Sequence, residues 1–125
     1  MSHTPKDHIP YDAYKRTPES TPLSPFEMEV FKVYTNAREI LLSKHKDYGP
    51  LNIANAPGGA LNGLRVRIHD KTARINHLID NSKYKNPEHE SLRDSFLDLM
   101  NYAAIALLVI DKNWPMTDDS GNDCA

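Results

Sequence analysis

The sequence predicts an all-α fold of three main helices, with a long loop between the first and second, assembled as an oligomeric helical bundle. Three observations carry this expectation. Apolar residues recur at helical spacing in three separate stretches. No run alternates in the strand pattern, and "VRI" at 66–68 is too short to build a sheet. Gly and Pro gather outside those stretches, in "YGP" and "APGG".

The first helix opens at "SPFE": Ser24 caps, Pro25 suits the first helical position and Glu27 completes a capping box. Val30, Val33, Tyr34, Ala37, Ile40 and Leu41 then repeat at helical spacing to about Lys44. The second helix lies within "LNGLRVRIHDKTARINHLID", where Leu64, Ile68, Ile75, Leu78 and Ile79 form an apolar arc. The third starts at "NPEHE", with Asn86 as cap and Pro87 in the first turn, and runs to about Lys112. Pro115 disfavours helix at the residue before it. From Tyr102 to Ile110 this helix is apolar on every face, the mark of a buried element. A short helical turn fits within the long loop.

The chain has 125 residues, enough for one domain. Residues 1–23 are rich in Pro and read as a disordered arm, and "MTDDSGNDCA" at 116–125 reads as an acidic flexible tail. The foldable part is 24–115, small enough that a homo-oligomer is a natural source of further burial. A formal charge of -2 makes no global case for DNA or RNA. No apolar run approaches the ~20 residues that span a bilayer, and no signal peptide opens the chain. The single Cys124 excludes a disulfide framework or a cysteine metal site, and a reducing cytoplasm is the expected home.

Three clusters carry chemistry. On the second helix Arg67, Lys71 and Arg74 share a face with Asp70 beside them. Arg67 and Arg74 offer forked donors and Lys71 a point charge, a set suited to phosphate or carboxylate; the plain alternative is a solvated face with ion pairs to Asp70. Lys71 falls at the edge of the apolar arc, so its ammonium must snorkel out or meet an anion.

On the third helix Glu90, Asp94, Asp98 and Asn101 project from one side, in line with Ile105 and Leu108. Carboxylates aimed at a core need partners. One choice is a divalent cation, Mg²⁺ or Mn²⁺, held by Glu90, Asp94 and Asp98. The other is the cations of the second helix, as in Lys71 with Asp94 or Asp98.

The third cluster is "KHKDYGPLNIANAPGG". His45, Lys46, Asp47 and Tyr48 stand where the first helix ends, and Gly49 with the later glycines forces turns that expose backbone amides to an anion. Tyr48 can stack on a base and His45 can exchange a proton near neutral pH. The alternative is a helix C-terminus with favourable cations at its dipole, followed by an ordinary loop.

The order "KHKDYGPLN", "LRVRIHDKTARINHLI", "ESLRDSFLDLMNYAAIAL" resembles the nucleotide-modification-associated domain 1 family, small proteins of phages and bacteria, over about residues 40–112. The resemblance implies function in Asp47, Tyr48 and Gly49, in Arg67, Asp70, Lys71 and Arg74, and in Glu90, Asp94, Asp98 and Tyr102. "ESLRDSFLDLMNY" also looks like the later acidic helix of the MazG-type all-α nucleotide pyrophosphatases. The Glu-x-x-Glu of their first helix is missing: Glu27 and Glu29 are two apart, and Glu39 stands alone.

The leading expectation is a nucleotide-binding protein of phage type, acting as a Mg²⁺-dependent nucleotide phosphohydrolase with Asp94 and Asp98 as catalytic carboxylates. In it His45, Lys46, Asp47, Tyr48, Gly49, Arg67, Lys71, Arg74 and Tyr102 would bind the nucleotide. The alternatives are a non-catalytic sponge that sequesters a nucleotide or cyclic nucleotide signal in the host cytoplasm, and a scaffold whose charges are all ion pairs.

Overall fold

The computed structural model describes residues 21–81 and 86–117, and for 86–90 the backbone alone. The chain forms two compact units, Met1–Phe31 and Lys32–Ala125. The expected arm (residues 1–20 of it) and the tail beyond residue 117 lie outside the described residues. Among the described residues the secondary structure is entirely helical: α1 (Pro25–Tyr48), α2 (Leu51–Ala54), α3 (Ala60–Asn81) and α4 (Asn86–Ile110). No described helix is long and apolar enough to cross a membrane.

The first unit contains the start of α1, and the capping box is formed there. The Ser24 N–H donates to Glu27 Oε1 at 2.9 Å, and the Glu27 N–H donates to Ser24 Oγ at 3.1 Å.

In the second unit α1 runs four residues beyond its expected end at Lys44. His45, Lys46, Asp47 and Tyr48 are therefore its last turn and not loop. Gly49 stops it: its φ is +69°, and its N–H donates to the His45 carbonyl at 2.8 Å, the single-bond left-handed cap. Pro50 cannot continue the ladder, and its carbonyl accepts from Ala54 N–H at 3.0 Å to begin the short turn of α2. "PGG" then reverses the chain, with Gly58 and Gly59 both at positive φ. α4 closes on a two-bond cap around Lys112, whose φ is +61°: Asn113 N–H donates to Leu108 O and Lys112 N–H to Val109 O. That cap folds the chain back and returns Trp114 to the core.

The core is built from Ile53, Leu64, Ile105 and Trp114, with Leu41, Tyr102 and Leu108 packed around it. α3 lies along α4 as its main partner, and α2 covers the beginning of α3. Gly63 is required at that crossing, since a Cβ there would stand 2.5 Å from Ala56 Cβ. Polar bonds join α1 to α4: buried Asn101 donates from Nδ2 to the Ala37 carbonyl at 2.9 Å, and Arg93 donates to Asn36 Oδ1 at 3.0 Å.

One burial expectation is corrected, and the apolar repeat of α1 proves largely exposed. Val33 and Tyr34 of the α1 arc are exposed, and Ala37 is the one buried residue of that helix. Likewise the all-apolar end of α4 is not enclosed: Leu107 is 60% and Ile110 55% exposed. An apolar circumference says that a helix has no polar face, but three helices can cover only part of one another.

Candidate functional site

The last turns of α1, the α2 turn and the facing sides of α3 and α4 enclose a cleft of about 260 Å³ in the second unit. α1 supplies Leu41, Lys44, His45 and Tyr48, and its stop residue Gly49 lies on the rim. α2 supplies Asn52 and Ile53, α3 supplies Arg67, and α4 supplies Tyr102 and Ile105. Trp114 closes the inner end. The extension of α1 makes this possible, because Leu41, Lys44, His45 and Tyr48 lie three and four apart and share a helical face.

Asp98 organises the cations. Lys44 Nζ stands 3.1 Å from its Oδ1, and Lys71 Nζ 2.9 Å from its Oδ2, so α1 and α3 are both tied to α4 through one carboxylate. Burial pushes the Asp98 carboxyl up, but hydrogen bonds from Lys71 and Lys44, with their charges, outweigh it and hold the group below its ordinary value. Of the two partners offered to the acids by sequence, Asp98 takes the ammonium groups.

Arg67 carries the strongest hint of a ligand. Its guanidinium lies 5.9 Å from the centre of the Tyr102 ring, in cation–π contact, and no ion pair holds it among the described residues. The neighbourhood thus sets three cations, Lys44, Arg67 and Lys71, against one carboxylate, leaving a local positive surplus open to an anion. At the inner end, the His45 ring meets the edge of Trp114 with centroids 5.0 Å apart at 76°. Trp114 Nε1 donates to the Pro50 carbonyl at 3.1 Å. His45 Nδ1 is buried without a hydrogen-bond partner.

The expected residues thus divide. His45, Tyr48, Gly49, Arg67 and Tyr102 line the cleft; Lys71 and Asp98 do not, and they are tied to it only through the Asp98 bond to Lys44. Lys46, Asp47, Arg74 and Asp94 are exposed and are not among the lining residues. Asp70 is exposed on α3 and forms no ion pair among the described residues. The Glu90 side chain lies outside the described residues. Gly49 serves the turn and not as an anion donor, since its N–H is spent on the His45 carbonyl.

Reasoning from sequence missed Lys44, Asn52 and Trp114. Lys44 could have been found had α1 been extended one turn, which places it one turn before Tyr48. For Asn52 and Trp114, contributed by a one-turn helix and a chain reversal, no spacing gave a signal.

As arranged, the described residues do not fit a divalent cation. Each oxygen of Asp98 faces an ammonium, and no three His, Cys, Asp or Glu side chains among the described residues stand together as a ligand set. The cleft suits an anionic group beside a flat ring: Arg67 and Lys44 for the charge, Tyr48, Tyr102 and Trp114 for stacking, and the Asn52 carboxamide for a polar edge. Comparison with known protein families, curated proteins and solved structures finds no match to this chain.

Proposed function

We propose that this protein binds a nucleotide in the cleft between the end of α1 and the facing sides of α3 and α4, and holds it without chemistry. The observation that carries the reading is Arg67, a partly buried guanidinium without an acidic partner among the described residues, in a cleft that it shares with Lys44, four aromatic rings, one carboxamide and the aliphatic Leu41, Ile53 and Ile105. A bare guanidinium is the group best suited to a phosphate, and the rings offer stacking surface to a base. At about 260 Å³ the cleft lies just below the range of typical ligand sites, roughly 300 to 1,000 Å³. A mononucleotide or one half of a cyclic dinucleotide is the matching size.

Sequestration is favoured over hydrolysis by the state of Asp98. A metal-assisted reaction would have to displace both Lys44 and Lys71 from its oxygens. The three-motif resemblance to the nucleotide-modification-associated domain 1 family supports a nucleotide ligand, and a cytoplasmic sponge of phage type is the role that follows.

The chain contains a single Trp, which closes the cleft, so its fluorescence is the natural probe. The test is a titration with nucleoside mono-, di- and triphosphates and cyclic nucleotides, with Mg²⁺ and with chelator, followed by chromatography of the recovered ligand. Saturable quenching independent of Mg²⁺, with the ligand recovered intact, is expected. Arg67→Gln removes a charge-assisted contact and should weaken binding about 10- to 100-fold. No binding across the panel, or an affinity indifferent to Arg67→Gln, overturns the proposal; Mg²⁺-dependent conversion of the ligand overturns its non-catalytic part.

A further inference from the structure

The outer face of α4 carries an apolar seam that stays exposed beside the other described helices. Phe96, Met100, Ala103, Leu107 and Ile110 follow one another at intervals of four, three, four and three, the heptad spacing of a helix that packs along another helix. Phe96 is 46%, Leu107 60% and Ile110 55% exposed. Ala103 is exposed at the middle of the run and Met100 is half-buried. The opposite side of the same helix already serves the fold through Leu97, Asn101 and Ile105, all buried. The seam is therefore a second packing face, left over after the core is made.

Its layout identifies the occupant. The spacing is close to self-complementary about Ala103 in the antiparallel sense: Phe96 lies as far before Ala103 as Ile110 lies after it, and Met100 and Leu107 are matched to within one residue. Ala103, the smallest residue of the seam, stands at the centre, where two helices cross most closely. Charge obeys the same symmetry. Arg93 near one end and Asp111 just past the other fall on the same flank, each about 80° from the direction of Ala103 at ~100° per residue. An antiparallel two-fold sets equal flanks face to face and opposite ends together, so it brings Arg93 of one copy to Asp111 of the other, twice. Among the described residues Asp111 is exposed and has no ion-pair partner, and Arg93 has one side-chain bond, from Nη1 to Asn36. A parallel two-fold would instead put Arg93 and Asp111 of the two copies at opposite ends of the pair, and no such charge pair could form.

We infer that α4 is the self-association face of this protein, binding a second copy of the same chain as an antiparallel, two-fold helix pair centred on Ala103. From Phe96 to Ile110 the seam is about 21 Å long at 1.5 Å per residue. A pairing on it alone is a single helix-on-helix contact, so the dimer is weak enough to dissociate on dilution. The seam does not use the cleft, and the inference stands apart from the nucleotide proposal.

The test is sedimentation velocity of the full chain without nucleotide, over a concentration series reaching the high micromolar range, with circular dichroism to check the fold. A reversible monomer–dimer equilibrium is expected. Leu107→Glu buries a carboxylate against an apolar partner in both copies and should weaken association about 100-fold or more while leaving the helical spectrum intact, because Leu107 is exposed in the monomer. Asp111→Arg should weaken it about tenfold by placing like charges together, and the double variant Arg93→Asp/Asp111→Arg should restore it. In a Cys124→Ser background, Ala103→Cys should cross-link with a short bis-maleimide, since a residue on the two-fold meets its own copy. A chain that stays monomeric throughout, or a dimer indifferent to Leu107→Glu, overturns the inference. Failure of the charge-swapped double to recover, or of Ala103→Cys to cross-link, overturns its antiparallel geometry.

Discussion

Replacing Asp98 by Asn tests how the cleft is held together. Asp98 is the single carboxylate that ties Lys44 of α1 and Lys71 of α3 to α4, at 3.1 and 2.9 Å. The two pairs differ in worth. The Lys44 side chain is 53% exposed, so its pair is solvent-screened and contributes at most about 1 kcal/mol. Lys71 and Asp98 are 26% and 19% exposed, between the surface case and the buried one. Stranding the Lys71 ammonium there costs about 1–2 kcal/mol, well below the ~3–5 kcal/mol of a fully buried pair. The sum, about 2 kcal/mol, should lower Tm by roughly 10 °C in a domain of this size. Asp98→Asn/Lys71→Met should recover part of the loss, because it removes the stranded charge along with its partner. The pH dependence follows from the lowered carboxyl. A depressed folded-state value means the stabilisation is complete above the ordinary value of 3.8 and is lost as pH falls through the folded-state value. Thermal melts at neutral pH and stepwise below 3.8 should therefore show wild type converging on Asp98→Asn only in acid. A variant within about 2 °C of wild type at pH 7, or a gap unchanged through the acid range, would refute this account of the ion-pair node.

Other perturbations probe the remaining joints. Asn101→Ala leaves the α1–α4 contact without its buried hydrogen bond to the Ala37 carbonyl and should lower stability by about 1–2 kcal/mol, read by urea denaturation. Gly63→Ala ordinarily strengthens a helix by up to about 1 kcal/mol, but here the new methyl would stand 2.5 Å from Ala56 Cβ; melting should show a net loss. Trp114→Phe keeps a ring in the core but loses the Nε1 bond to Pro50, a cost of about 1–2 kcal/mol in denaturation followed by circular dichroism. An unchanged midpoint in any of these cases removes that contact from the account of the fold.

Much of the architecture was legible because it rests on local rules. The Ser24–Glu27 box, Pro25 at the first helical turn, the turn at Gly49 and the periodic arcs of α3 all act within a few residues of themselves, although the helix was expected to end before that turn, near Lys44. Lys71 was legible too: an ammonium at the edge of an apolar arc needs a counter-charge, and Asp98 supplies it. What sequence misjudged was coverage. The arc of α1 and the apolar end of α4 specify faces that can pack, and only the number and placement of neighbouring helices decides which faces do.

The candidate site divides the same way. Sequence by itself determined that charged, aromatic and turn-forming residues recur on three helices, because residue type and helical spacing are properties of the chain. Tertiary structure decided which of them meet. It gave Asp98 to two lysines, left Arg67 beside Tyr102 without an acid among the described residues, turned Arg74 and Asp94 outward, and brought Trp114 back from beyond α4 to close the cleft. Those outcomes depend on contacts between residues as far as 64 positions apart, joined by one-turn helices and caps whose direction no periodicity encodes.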